Sequence, residues 1–416
     1  MMVLSKTKGT GGIIKADPEH FIVEEITQNG KILSLGGIFA PGDLGEISEP
    51  EGRFTRFVFQ KKNWDTLRAL REIAHRVGRG WKSISYAGMK DKMSTSSQLA
   101  SIYGIDPENL SKVSIKDISI NGAWKSKEGV RLGALIGNHF RIIITEADNA
   151  KASHETIKEL DENMPNYFDA QRFGIRQNNF SIGLHMLRGE FREAAMDFLT
   201  NTKNERNGEA VEARRKLEGN EDFASAREYF PKYLRYERKA IDYLAKYPEN
   251  YANAIRTLPR GITLMFVHSV EDAIFNASVE YMLKNEFDGI KRWCMKNVYG
   301  FQDMATVSDE KNDIPVASLI GYETPDENIS EREKELLDIL GISKDLFKIK
   351  SLPELSMRGS ARACISKVKD VECTDYENEV RLSFSLPAGS YATIFIGEIT
   401  KNKGIEINDI APELNG

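Results

Sequence analysis

The residue pattern changes along the chain from β-prone to helical and back, and this change constrains the fold more than any other feature. Residues 13–59 consist of short β-prone segments and turns, including 21–26, and residues 379–384 and 391–399 predict strands again near the end. Between about 182 and 349, charge-dense stretches with helical periodicity replace them. Because both ends of the chain are β-prone, the simplest interpretation is that they form a single sheet. A mainly helical insert then interrupts the chain between the two parts of this sheet.

Length and composition limit the class of protein. At 416 residues the chain predicts two or three domains, and 41% hydrophobic with 29% charged residues is typical of an ordinary globular protein. No apolar run approaches the roughly 20 residues that a membrane span needs, and the N-terminus has no apolar core of a secretory signal. We therefore expect a cytoplasmic protein with no membrane partner. The oligomeric state is left open.

The cysteines and histidines do not predict a metal site. The 3 cysteines are far apart and form no C-x-x-C pair, and the 6 histidines form no H-x-x-x-H pair. Nucleotide-binding signatures such as G-x-x-x-x-G-K-[ST] are also missing. We expect no metal and no cofactor.

A basic block stands out in an acidic protein. The net charge is −5, yet residues 53–92 hold eleven Lys and Arg against three acids, which gives this window +8 and the remainder −13. Such a block is typical of a phosphate-binding surface, but composition alone does not separate this from one solvated helix face.

The block contains a predicted amphipathic helix. Asn63 is the predicted N-cap and Gly78 the predicted stop. Leu67, Leu70, Ile73, Ala74 and Val77 form its apolar stripe, so its arginines should face outward. The candidate RNA-binding residues are Arg68, Arg71, Arg76 and Arg79.

Two further stretches could carry chemistry. Asp91 lies in the polar loop Gly88-Met89-Lys90-Asp91-Lys92, where it is either a nucleophile or a residue of an exposed hairpin tip. The stretch Asn166-Tyr167-Phe168-Asp169-Ala170-Gln171-Arg172-Phe173-Gly174 combines three aromatics with amides that could read a uracil edge. For each aromatic taken singly, ordinary core packing is the favoured alternative.

Considered together, these stretches resemble the TruD family of pseudouridine synthases. Five motifs occur in the family's order between Lys15 and Thr393. They are Lys15 to Glu25 (K-x-x-P-x-x-F-x-V-x-E), Gly88 to Gln98 (G-x-K-D with Q), Leu132 to Phe140 (L-G…G-N-x-F), Asn166 to Gly174 (N-Y-F-G-x-Q-R-F-G) and Leu386 to Thr393 (L-P-x-G-S-Y-A-T). The chain departs from these patterns at Ser96, which replaces a threonine, at Asp169, which replaces a glycine, and at Gly397, which replaces an arginine.

The resemblance implies an α+β fold: a mixed, largely antiparallel β-sheet catalytic domain, residues 1–181 and 361–416, interrupted by a mainly helical domain, residues 182–360. It implies isomerisation of uridine 13 of transfer RNA to pseudouridine without a cofactor. Asp91 matches the catalytic aspartate and Lys15 a basic residue beside it. Phe21 and Tyr391 match aromatics of the base pocket and Asn166 a uracil-contacting amide, and we add Phe168 to this substrate-binding set.

Two other functions are compatible with parts of this pattern. A non-catalytic structured-RNA-binding protein would keep the basic block and the aromatics but would have no use for Asp91. A hydrolase of glycosidic bonds should normally present paired carboxylates. Neither alternative explains five ordered motifs.

Overall fold

The computed structural model describes residues 2–285, 292–298, 301–307, 314–402 and 406–414. Its strands are β1 (Phe21–Ile26), β2 (Phe54–Lys62), β3 (Ile84–Tyr86), β4 (Thr95–Tyr103), β5 (Ile118–Ser126), β6 (Gly137–Ile144), β7 (Asn163–Pro165), β8 (Arg292–Val298), β9 (Phe301–Val307), β10 (Ile314–Leu319), β11 (Ser360–Ala363), β12 (Ile365–Lys367), β13 (Lys369–Asp375) and β14 (Val380–Pro387). Its helices are α1 (Thr66–Arg76), α2 (Pro107–Ser111), α3 (Ala152–Leu160), α4 (Asn179–Arg188), α5 (Phe191–Thr200), α6 (Gly208–Asn220), α7 (Phe223–Tyr229), α8 (Arg235–Leu244), α9 (Tyr251–Arg256), α10 (Arg260–Lys284), α11 (Glu331–Ile339), α12 (Ala392–Thr400) and α13 (Ile407–Ile410).

Strands from both ends of the chain form one large sheet. Its order is β13-β14-β6-β1-β4-β2-β5, with β3 added to β4, so strands from residues 21–144 and 369–387 lie in a single hydrogen-bonded surface. Among the described strands of this sheet, β1 and β4 form the only parallel pair, with Ile22 opposite Thr95. The predicted α+β fold with a mixed, largely antiparallel sheet is therefore confirmed.

The parallel pair brings two distant parts of the chain to one edge of the sheet. Because parallel strands begin at the same edge, the segment before β1, which contains Lys15, and the loop before β4, which contains Asp91, emerge side by side. This one feature of the topology places the site.

Helices cover one face of the sheet in two groups. Val23 on β1 is opposite Ser96 on β4, and Ser96, Gln98 and Ala100 point to the same face because side chains alternate along a strand. On that face, α1 packs on Phe57, Phe59, Ala100 and Ile102, whereas α12 packs on Phe140, Ile142, Phe384 and neighbouring strand residues. The loop that contains Asp91 contacts the same face through Gln98 on β4 and Glu25 on β1.

The middle of the chain is mainly helical, as its texture predicts. The helices α4 to α10 enclose a separate apolar core, and the 25-residue α10 is buried along most of its length. The sequence missed a four-stranded sheet, β11-β10-β8-β9, in this part. The division into one domain of residues 1–181 and 361–416 and a second of residues 182–360 stays a prediction. Both predicted domains include residues that lie outside the described ones, namely 1, 286–291, 299–300, 308–313, 403–405 and 415–416.

Two local predictions were wrong. Residues 391–399 form α12 instead of a strand, because Ala392, Phe395, Ile396 and Ile399 recur at helical spacing and bury one face on the sheet. Helix α1 is capped by Asp65, whose side chain accepts a hydrogen bond from the Arg68 N–H, and not by Asn63. Among the described residues, no helix is long and apolar enough to cross a membrane.

Candidate active site

Asp91 and Lys15 form an ion pair at the edge where β1 and β4 begin. The Lys15 Nζ lies 2.6 Å from Asp91 Oδ2, and the Asp91 side chain is 37% exposed. The carboxylate is thus accessible from outside while it is held by one charged donor. A short, charge-assisted hydrogen bond of this kind fixes the orientation of a carboxylate.

The ring of Phe21 packs against the ammonium group of Lys15. The Lys15 ammonium lies 4.2 Å from the centroid of the Phe21 ring, a cation–π arrangement, and Phe21 itself is buried against Phe140. Lys15 also has a φ of 59°, in the left-handed region that non-glycine residues rarely adopt. The backbone before β1 therefore takes an uncommon conformation at the residue that contacts Asp91.

A buried ion pair holds the loop immediately before Asp91. Lys90 Nζ donates to Glu25 Oε2 at 2.9 Å, and both side chains are almost completely buried. The first residue of α1 adds a second anchor, because Thr66 Oγ1 accepts a hydrogen bond from the Lys90 N–H at 3.0 Å. In addition, Gln98 donates to the Gly88 carbonyl at 2.9 Å. The loop is thus fixed to β1, β4 and α1.

The main chain of Asp91 has its own donors. Its carbonyl oxygen accepts hydrogen bonds from Lys61 Nζ at 2.8 Å and from Ser94 Oγ at 2.6 Å. Burial lowers the pKa of Lys61 to about 8, although the carboxylates of Asp65 and Asp91 act in the opposite direction. Lys61 could not be predicted from the sequence, because nothing there distinguishes it from the other basic residues of the block.

The second predicted stretch starts with Asn166, whose side-chain amide makes three hydrogen bonds within the protein. Asn166 is buried, its Nδ2 donates to the Ala363 carbonyl at 2.9 Å, and its Oδ1 accepts from Arg362 at 2.7 Å and from Ser390 at 3.0 Å. A uracil contact by this side chain would use its second N–H or replace one of these partners. Its predicted role as a uracil contact stays a prediction.

Phe168 is a buried ring surrounded by cations and aromatics. The guanidinium carbons of Arg362 and Arg172 lie 4.2 and 5.3 Å from its centroid. Its ring packs edge-on against Phe275 at 5.5 Å and against Tyr391 at 6.3 Å. Of the four predicted substrate-binding residues, Tyr391 alone is partly exposed, whereas Phe21, Asn166 and Phe168 are buried.

Helix α10 fixes this stretch from the helical part of the chain. Asn276 accepts a hydrogen bond from the Phe168 N–H at 2.8 Å and donates to the Phe168 carbonyl at 2.9 Å. One helical turn earlier, the buried Asp272 pairs with Arg172 at 2.7 Å. These two side chains were also missed, because only their i, i+4 spacing on a buried helix face could have indicated a shared partner.

Asp169, in the stretch 166–174, interacts electrostatically with Lys15 and Asp91. Its Oδ1 accepts a hydrogen bond from the Ala170 N–H at 2.7 Å, and the Thr393 hydroxyl also donates to the carboxylate. Burial raises the pKa of the Asp169 carboxyl and the charge of Asp91 adds to this, whereas Thr393 and Lys15 oppose it. The residue that departs from the family pattern is thus a second carboxyl group near Lys15 and Asp91.

The predicted basic face of α1 is confirmed as exposed. Arg68, Arg71, Arg76 and Arg79 all lie on the surface. The guanidiniums of Arg68 and Arg71 lie over the rings of Trp64 and Trp81, at 5.0 and 5.4 Å from their centroids. Arg76 pairs with Glu72 at 2.9 Å, and Arg79 donates to the Gly104 carbonyl. Among the described residues, no group of three or more His, Cys, Asp or Glu is arranged to hold a metal ion.

Comparisons with known proteins show which family the chain belongs to. The profile of the family described as "tRNA pseudouridine synthase D (TruD)" matches residues 1–399. A relative from Methanopyrus kandleri, described as a probable tRNA pseudouridine synthase D, is 32% identical over 363 residues, which cover 85% of this chain and 87% of the relative. A relative from Methanococcus maripaludis, described as a probable tRNA pseudouridine synthase D 2, is 31% identical over 398 residues, which cover 94% of this chain and 95% of the relative.

A solved structure agrees as well. The crystal structure of the protein from Methanosarcina mazei described as "Putative tRNA pseudouridine synthase D (TruD)" superimposes with a TM-score of 0.73 at 27% identity, covering 98% of this chain and 97% of the other. The fold, the site and these likenesses define an enzyme class, the transfer-RNA pseudouridine synthases. Within this class, the chain belongs to the TruD family.

Proposed function

We propose that the chain isomerises uridine 13 of transfer RNA to pseudouridine, with Asp91 as the catalytic carboxylate and without a cofactor. The observation that carries this proposal is the contact between Lys15 and Asp91, at 2.6 Å, on a loop fixed by buried partners. An accessible carboxylate whose position is fixed on all other sides suits a reaction in which it must meet one sugar or base atom.

Apart from such a carboxylate, the reaction requires few chemical groups. The N1–C1′ bond of the uridine breaks, the uracil turns, and a C5–C1′ bond forms. The proton on C5 leaves and N1 gains one, so atoms and electrons balance within the nucleotide. Because nothing is oxidised and no phosphate is consumed, the reaction needs no redox group and no nucleotide cofactor. Asp91 could act on C1′, on the base or on a sugar proton.

The uridine must leave its stack before it can reach Asp91. Unstacking costs a few kcal/mol, and stacking on an aromatic side chain, worth roughly 1–3 kcal/mol per base, could offset much of this. Tyr391 is the candidate with a partly exposed ring, and Phe168 packs against it. We therefore propose that Tyr391 contacts the base directly. Phe21 and Phe168 would act indirectly: Phe21 packs against Lys15, and Phe168 packs against Tyr391.

The basic face of α1 is the proposed docking surface for the transfer-RNA backbone. Arg68 and Arg71 are held over tryptophan rings and remain exposed, so their charges can reach phosphates. Thr66, at the start of the same helix, bonds to the loop of Asp91. RNA bound on α1 would therefore lie beside the carboxylate.

We also propose the domain division inferred from the sequence and a cytoplasmic site of action. The sheet would be the catalytic domain, residues 1–181 and 361–416, and residues 182–360 the inserted domain. The buried contacts of Asp272 and Asn276 with the stretch 166–174 suggest that the insert also supports the pocket.

Nucleotide-resolution pseudouridine mapping tests the proposal. Unmodified transfer RNA is incubated with the protein, and a variant RNA with cytidine at position 13 serves as the matched control. A single new pseudouridine at position 13, absent from the control, is expected. Pseudouridine elsewhere would contradict the proposed position, RNA binding without any pseudouridine would favour a non-catalytic RNA-binding protein, and free uracil would indicate a hydrolase.

A further inference from the structure

A third lysine holds the loop of Asp91 from inside the protein. Lys61, near the end of β2, is 1% exposed, and its ammonium donates to the Asp91 carbonyl oxygen at 2.8 Å. The Ser94 hydroxyl donates to the same oxygen at 2.6 Å. Two donors therefore converge on one main-chain atom of the proposed catalytic residue.

The burial of this ammonium requires an explanation. Among the described residues, no carboxylate lies within 4.0 Å of Lys61 Nζ, so the lysine has no direct ion-pair partner. The charged groups around it are Asp65 at the start of α1, Asp91, and Lys90, which is itself neutralised by Glu25. A buried charge without a direct ion pair is costly, and an apolar side chain of the same length would fill the space more cheaply.

We propose that Lys61 is a positioning residue of the reaction: its ammonium fixes the main chain of Asp91 so that the carboxylate meets both Lys15 and the substrate. The inference rests on the proposed catalytic role of Asp91. The Thr66 hydroxyl donates to the Lys90 carbonyl oxygen at 3.1 Å and so fixes the peptide group before Asp91, and Lys61 fixes the carbonyl group after the Asp91 Cα. Together they leave the carboxylate little freedom besides rotation of its own side chain.

A small loss of position should be expensive for the reaction. A displacement of about 1 Å at a reacting group can cost on the order of 100-fold in rate. Removing Lys61 leaves the Asp91 carbonyl with the Ser94 hydroxyl, so no buried acceptor is left without a donor. The expected effect is therefore on the rate of the chemical step and not on folding.

The charge of Lys61 gives this role a recognisable pH dependence. Because burial lowers the pKa of Lys61 to about 8, the folded protein loses this charge as the pH rises through that value. The rate of the chemical step should fall there. The unfolded chain keeps the lysine protonated up to its ordinary pKa of 10.5, so it binds more protons between about 8 and 10.5. The contribution of Lys61 to stability therefore rises with pH while activity falls.

The test compares Lys61→Met with Lys125→Met. Lys125 also donates to a main-chain carbonyl, that of Ile105 at 3.2 Å, but on β5 and outside the site. Pseudouridine formation is measured in single turnovers between pH 6.5 and 9.5, together with transfer-RNA affinity and thermal unfolding. For Lys61→Met we expect a rate at pH 7 lower by about tenfold or more. Its affinity should match the wild type, its melting temperature should be equal to or above that of the wild type, and the decline near pH 8 should be lost.

The outcomes separate this inference from the proposed function. Ionisation of the uridine affects wild type and variants alike, so the comparison between proteins isolates Lys61. A wild-type rate at pH 7 in Lys61→Met, or an unchanged decline near pH 8, would overturn the inference. If Lys61→Met does not fold, a wild-type rate that stays flat from pH 7 to 9 overturns it equally. Turnover by Asp91→Asn would instead overturn the proposed function.

Discussion

Lys15 and Asp91 are 76 residues apart in the chain, yet the Lys15 ammonium donates a 2.6 Å hydrogen bond to the Asp91 carboxylate. The parallel pairing of β1 with β4 explains this proximity, because it brings the segments before both strands to one edge of the sheet. The other contacts that hold the loop, from Glu25, Lys61, Thr66, Ser94 and Gln98, keep Asp91 at this edge.

Replacing Lys15 by methionine should slow the chemical step by about tenfold or more. A charge-assisted hydrogen bond contributes roughly 1.5–3 kcal/mol, and each ~1.4 kcal/mol is a factor of ten in rate. Single-turnover kinetics with saturating enzyme measure this step. Lys62→Met removes a neighbouring pair with Glu19, at 2.7 Å, and should leave the rate unchanged. Equal effects of the two substitutions would contradict a special role for Lys15.

Charge reversal of Arg68, Arg71 and Arg76 to glutamate should weaken transfer-RNA binding and make it less sensitive to salt. Each lost phosphate contact should make the slope of log affinity against log salt shallower by roughly 0.9. Arg76, which is already paired with Glu72, should contribute least of the three when reversed alone. Filter binding between 50 and 300 mM salt measures the slope.

The control for this experiment carries the same change of charge elsewhere. Lys112, Lys158 and Lys239 are exposed lysines outside the basic block, and their reversal changes the net charge by the same amount. The slope should then stay that of the wild type. A slope that changes equally in both triple variants would mean that the RNA does not dock on α1.

Truncating Asn276 to alanine should destabilise the protein by roughly 1–3 kcal/mol, because the buried N–H and carbonyl of Phe168 both lose their partner. Urea unfolding measures the loss. Asn285, near the end of the same helix, donates to the Tyr281 carbonyl but is exposed, so Asn285→Ala should cost far less. Similar losses in both variants would show that the contact with Phe168 carries no particular weight.

Two helix glycines should respond in opposite directions to alanine. At Gly397 in α12 an added Cβ meets no atom within 4 Å, so Gly397→Ala should stabilise by about 0.5–1 kcal/mol. At Gly183 in α4 the same atom would lie 1.9 Å from the Phe266 carbonyl oxygen of α10, so Gly183→Ala should destabilise. Thermal unfolding of both variants would show the contrast, and a loss of stability at Gly397 would refute it.

The sequence predicted the larger features of the fold because they are periodic. The apolar stripe of α1 and its exposed arginines follow from spacing, and the strand from Phe21 to Ile26 follows from composition. The error at residues 391–399 was avoidable in part. Ile394, Phe395, Ile396 and Ile399 favour a strand by type, but the spacing of Ala392, Phe395, Ile396 and Ile399 is helical.

The parts of the site that the sequence did not predict depend on tertiary contacts. Lys61 is one lysine among many until a carbonyl oxygen is placed 2.8 Å from it. Likewise, Asp272 and Asn276 become part of the site only when α10 packs against residues 166–174. Motif order could predict Asp91 and Lys15 as neighbours, but not which residues hold them in place.

The most direct test of the central claim is pseudouridine formation by Asp91→Asn, measured together with transfer-RNA affinity. The amide keeps the size of the carboxylate but lacks its charge and nucleophilicity. We expect no detectable pseudouridine in RNA that the variant binds with an affinity close to that of the wild type. Substantial turnover by Asp91→Asn would contradict the assignment of Asp91 as the catalytic carboxylate.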